Sequence, residues 1–201
     1  MKKMLSFLCV TLFVSSSILA QSAKQTTKGG KAPTAAPAVK AAEKTMEKPV
    51  AKPAVSAKPS PAATATGKSG DATITVSYSQ PAVKGRKIWG DLVPFDKVWR
   101  TGANDATTIE FTKDVKIEGQ ALKAGTYALF TIPTEGGEWT IIFNKTAKQW
   151  GSYDYKDKED ALRVKVKSEK SKSFAERLTF DVKDKNVMMC WENLCVSFKV
   201  E

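Results

Sequence analysis

Short runs of strict two-residue alternation constrain this chain more than any other feature. Ile74, Val76 and Tyr78 alternate with Thr73, Thr75 and Ser77, Ile109 and Phe111 alternate with Thr108, Glu110 and Thr112, and Val115 and Ile117 follow Lys113-Asp114. Phe174, Leu178, Phe180 and Val182 share one parity, with Arg177, Thr179 and Asp181 on the other. Successive side chains of a strand point to opposite faces, so this pattern predicts half-buried strands. Residues 127–132 and 139–143 are nearly continuous apolar runs joined by Pro133-Thr-Glu-Gly-Gly137, which predicts a hairpin of central strands covered on both faces. Only residues 157–162 and 171–177 offer short helical turns. With turns at Gly119, Gly125 and Asp184-Lys185-Asn186, the expectation is all-β: an antiparallel β-sandwich or flattened barrel of about nine strands around one core.

Composition sets the expected boundary of that domain. Residues 24–70 hold nine Lys, two Glu and six of the nine prolines, with no aromatic residue. Such a segment cannot bury enough apolar surface to offset its ordering entropy, so residues 21–70 read as a disordered Lys/Pro/Ala-rich leader and residues 71–201 as the folded domain. Residues 1–20 read as a signal peptide: Lys2 and Lys3, an apolar run from Leu5 to Val14, then Ala20 before Gln21. The run is shorter than the roughly 20 apolar residues a membrane-spanning helix needs, so no transmembrane segment is expected after cleavage. The predicted location is exported, periplasmic or extracellular.

The formal charge of +11 lies mostly outside the domain, because residues 71–201 carry 21 basic against 19 acidic residues. A nucleic-acid-binding domain normally carries a basic face of its own, so no nucleic acid is expected as partner. The absence of His excludes Ser-His-Asp and Cys-His catalysis and His-ligated zinc. No metal and no cofactor are expected; the acidic loop from Asp154 to Asp160 is interrupted by Lys156 and Lys158.

Cys190 and Cys195 flank Trp191-Glu-Asn-Leu194, which reads as a hairpin with a two-residue loop placing the two cysteines opposite each other. Cross-strand neighbours of that kind are close enough for a disulfide after a small adjustment, the alternative being two reduced, buried thiols.

Candidate site residues come from residues 83–105, VKGRKIWGDLVPFDKVWRTGAND, which hold two of the five Trp and two of the four Arg. Trp89 and Trp99 are either core residues or a stacking platform, rimmed in the second case by Arg86, Arg100 and Asn104. Arg presents a fork suited to carboxylate or phosphate groups, or else an internal ion pair with Asp91 or Asp105. Asp91, Asp96, Asp105 and Glu110 are the acids a carboxylate-based hydrolase would have to draw on.

The runs Tyr78-Ser-Gln-Pro81, Lys84-Gly-Arg86, Trp89-Gly90, Val98-Trp-Arg-Thr-Gly-Ala-Asn104, Leu122-Lys-Ala-Gly-Thr-Tyr127 and Trp150-Gly151 resemble the bacterial domain-of-unknown-function 2911 family. The resemblance implies an exported protein of a Bacteroidota-type bacterium and brings no activity, cofactor or catalytic residue. The expected function is a non-catalytic envelope or extracellular module, binding or structural. Its partner would be a small molecule, a glycan or an envelope component, and the alternative is a His-independent hydrolase of glycans.

Overall fold

A computed structural model of the chain describes residues 59–201. The expected signal peptide and most of the leader lie outside the described residues. The elements are β1 (Ala62–Ser69), β2 (Ala72–Ser79), β3 (Thr108–Phe111), β4 (Val115–Ile117), β5 (Gln120–Leu122), β6 (Gly125–Ile132), β7 (Glu138–Asn144), a 3-10 turn (Asp157–Glu159), β8 (Asp160–Lys183) and β9 (Asn186–Lys199). Seven strands form one antiparallel sheet in the order β1-β2-β3-β6-β7-β8-β9, and β4 pairs with β5 beside it. The fold is all-β, as the alternation predicts.

The sheet nearly closes on itself. After β2, Ala82 bridges Arg177, and the Val83 N–H donates to the Glu176 carbonyl at 2.8 Å. Near its other end, β1 lies on β8 so tightly that a Cβ on Gly67 would stand 2.4 Å from the Val182 carbonyl oxygen. The Ser69 hydroxyl donates to the Val200 carbonyl at 2.6 Å. Inside, the parity read from the sequence holds: Ile74, Val76, Ile109, Phe111, Leu178 and Phe180 are all buried in one core. Each fully buried large apolar side chain contributes about 1.5–3 kcal/mol.

β6 and β7 are apolar on both faces because each face is covered. Ala128, Phe130 and Ile142 form a second, smaller cluster with Ala106, against which Val98 and Tyr155 pack. Two long connections, β2 to β3 and β7 to β8, therefore lie over the outer face of the sheet.

Three features depart from the expected layout. The first strand, β1, lies N-terminal to the boundary at residue 71 that composition implies. Its Ala-Thr-Ala-Thr-Gly sequence has no large apolar residue, yet all eight residues pair with β2, and Ala63 and Ala65 pack on the core. Small side chains are what the close approach to β8 allows.

Secondly, residues 171–177 form no helical turn but belong to β8. The ladder with β9 runs from Ser168↔Val196 to Lys170↔Leu194 and resumes at Thr179↔Cys190. Residues 171–178 bow out between these runs, held by the single pair Ala175↔Glu192, and Phe174 is exposed.

Thirdly, β9 doubles back on itself. The Cα atoms of Cys190 and Cys195 are 4.1 Å apart and a disulfide joins the two residues, whereas five extended steps would span about 16 Å. Glu192 supplies the left-handed backbone at the fold-back, with φ +56°. The Val200 N–H donating to the Lys185 carbonyl at 2.7 Å continues the register of the Cys190–Cys195 pair. The loop of β8 thus wraps the tip of this hairpin.

Candidate functional site

The five residues nominated from residues 83–105 have different surroundings. Trp89 and Trp99 are buried, joined by Trp139 and Trp191 in a four-indole cluster. Trp89 meets the other three edge-on at 4.9–5.9 Å between centroids, and Trp99 stacks on Trp191 at 5.8 Å with the planes 16° apart. The indole N–H groups of Trp89 and Trp191 are buried without a hydrogen-bond partner.

Arg86 is exposed, and its guanidinium donates to the Ala82 and Val83 carbonyls, closing the turn that Arg86 ends. Asn104 adopts φ +60°, a left-handed angle that Asn tolerates. Its amide donates to the Ser60 carbonyl at 3.2 Å and to the Ser79 hydroxyl at 3.1 Å, fastening the start of the domain to the end of β2. Both residues are occupied by the chain itself.

Arg100 differs. It is partly buried, its Nε is sealed from solvent without a partner, and it makes no ion pair among the described residues. Its Nη1 lies 3.6 Å from where a Cβ on Gly151 would stand, and the Tyr153 ring lies 3.1 Å from the same point. Gly151 has φ +62°, so both backbone and space call for glycine there.

A recess of about 480 Å³ forms where the two long connections meet; Trp150 lines it, whereas Arg100 and Tyr153 do not. Asp105 bridges Trp150, and the Ala106 N–H donates to the Gln149 carbonyl at 3.0 Å. Asp105, Thr108, Lys148, Gln149 and Trp150 line it, and a second recess of about 230 Å³, edged by Ala62, Ser77 and Ser79, shares its Asp105 and Thr108 wall. Trp150 is 57 % and Tyr153 82 % exposed, whereas the other four Trp are buried. An exposed indole lining a groove is the unusual feature of this surface.

The loop carrying Trp150 is pinned from below. Asn144, fully buried, donates to the Lys156 carbonyl at 2.9 Å and to Asp160 Oδ1 at 2.8 Å. The Tyr155 hydroxyl donates to Asp160 Oδ2 at 2.7 Å, and Arg163 donates to both Asp160 and the Tyr155 oxygen, again at 2.7 Å. Burial, and then the Asp160 carboxylate at its hydroxyl, pushes the Tyr155 phenol up to about 12. The bond to Asp160 likewise raises Arg163. This network spans the loop ends, so Trp150 is presented on a fixed segment. Sequence reasoning missed Asn144, Tyr155, Asp160 and Arg163 because their partners come from three separate elements.

Of the four acids a hydrolase would draw on, Asp105 alone lines the joined recesses. Asp114, Glu138 and Glu201 each accept a bond from a lysine (Lys123, Lys165 and Lys199), which holds these carboxyls below their ordinary range. A general acid needs the opposite displacement.

The family model described as Protein of unknown function (DUF2911) matches residues 60–200. The chain belongs to that family. The match begins at Ser60, the residue Asn104 grips, and includes β1, so the DUF2911 domain and the described sheet coincide. Comparisons with curated proteins and with solved structures each found no match.

Proposed function

We propose that this DUF2911 protein is an exported, non-catalytic binding module of the envelope or extracellular space, and that its contact surface is the recess beside Trp150. The exposure of Trp150 carries the reading: among the described tryptophans it alone is withheld from the core, on a loop whose ends are pinned by the Asp160 network. Rings so placed suit the flat C–H face of a sugar, with Asp105 and Lys148 available to hydroxyl groups. The export signal read at residues 1–20 supports a ligand in the envelope or outside it. Hydrolysis is disfavoured because two carboxyls must flank the bond and one lines the recess.

The test is a glycan and envelope-polymer screen of the full chain beside its Trp150→Ala variant. A ligand retained by the native protein and lost by an equally stable Trp150→Ala variant is the expected result. Ligands that bind both equally would place the contact elsewhere and end this reading.

A further inference from the structure

We infer that the ligand is an acidic glycan, whose carboxylate is taken by Arg100 while its rings lie along Trp150 and Tyr153; this rests on the binding-module reading above. A charged group partly removed from water is ordinarily paired, since desolvating it costs free energy that a counter-charge must offset. The Asp160 carboxylate, 8 % exposed, follows that rule through Arg163. Arg100 is partly buried with no acid against it and with Nε shut away. Among the described residues it is the one basic side chain that has lost part of its water, and it lacks a counter-charge.

The geometry around it names the anion's company. At Gly151 the Arg100 Nη1 and the Tyr153 ring come to the same spot, 3.6 and 3.1 Å from where a Cβ would stand, and Trp150 is the residue before it in the chain. The guanidinium and the Tyr153 ring thus meet at one turn. A planar two-oxygen anion matches the fork, and a pyranose bearing that carboxylate offers the face the rings accept. Lys148 adds a second cation in the recess, and Asp105, bridged to Trp150, can accept only from hydroxyls. Uronic-acid oligomers combine these properties.

The experiment measures binding of trigalacturonic acid and of its methyl ester, which removes the charge and keeps the rings, to the full chain by calorimetry. The acid should bind about tenfold or more tighter than the ester, the scale of one charge-assisted bond. Arg100→Gln should remove most of that preference without moving the ester. Equal affinity of the native protein for acid and ester overturns the inference, with no variant needed. So does an acid preference that Arg100→Gln leaves undiminished. Ester binding that is lost in Trp150→Ala, without any acid preference, would sink the acidic ligand and leave the module reading standing. Binding of neither oligomer also refutes this inference, and the wider screen then decides the module reading by itself.

Discussion

The indole of Trp89 packs edge-on against that of Trp139 with 4.9 Å between ring centroids, across the interior from β7 to the connection after β2. This contact makes the turn at residues 88–93 part of the core. Gly90 (φ +80°) lies against the Phe95 ring, which would be 2.8 Å from any added Cβ.

Core and surface tryptophans should therefore respond oppositely. Trp89→Ala removes the hub of the cluster and is expected to cost about 3–5 kcal/mol. Trp150→Ala, with more than half its side chain in solvent, should stay within about 0.5 kcal/mol. Urea unfolding of the two variants checks both values; similar losses would mean that the Trp150 loop is also part of the stabilising core.

The Cys190–Cys195 disulfide closes a small loop, so it constrains the unfolded chain modestly. Unfolding the exported protein, from which the signal peptide with Cys9 has been removed, should expose no titratable thiol without reductant, and reduction should expose two. Replacing both hairpin cysteines with Ser is expected to cost about 2 kcal/mol by the loop-entropy argument. Two thiols before reduction would contradict the bridge.

Tyr155 gives an alkaline signature. Its phenol titrates near 12 in the fold, against about 10 for an unfolded tyrosine. The unfolded state thus loses this proton first as pH rises. Stability contributed by the neutral hydroxyl is intact below about pH 10 and is lost progressively toward pH 12. Tyr155→Phe should be less stable at neutral pH and should lose less between pH 10 and 12 than the native protein. An unchanged alkaline slope would show that neither burial nor Asp160 holds the proton in place.

Gly67 is the tightest point of the sheet's closure. Gly67→Ala puts a Cβ within 2.4 Å of the Val182 carbonyl, an atom that moves only with its strand. A loss of about 1–3 kcal/mol is expected, with hydrogen exchange accelerated first in β1. A neutral effect would mean that β1 rides over β8 without being fixed to it.

How much of this was legible before the fold is seen depends on the side chain. Ile74, Val76, Ile109 and Phe111 announced their strands because a period of two needs no tertiary knowledge. The Cys190–Cys195 hairpin was readable for a similar reason: its turn and its pair lie within six residues. β1 was hidden because Ala, Thr and Gly belong equally to a leader and to a strand squeezed against a neighbour; only Val182, more than a hundred residues away, decides between them. Trp89 and Trp99 invited two readings that their local sequence could not separate, since the choice was made by Trp139 and Trp191. Trp150 carried a usable signal: it stands among Lys148, Gln149, Ser152 and Asp154, with no alternation to draw it inward.

Four indoles in contact do not behave as four independent chromophores. Excitation absorbed by one is shared among Trp89, Trp99, Trp139 and Trp191, and their coupled dichroism in the near ultraviolet depends on all four holding their mutual angles. Trp150, with no ring stacked on it among the described residues, emits into water. The molecule therefore carries two optical channels of its own, one that reads the order of the interior and one that reads what touches the surface.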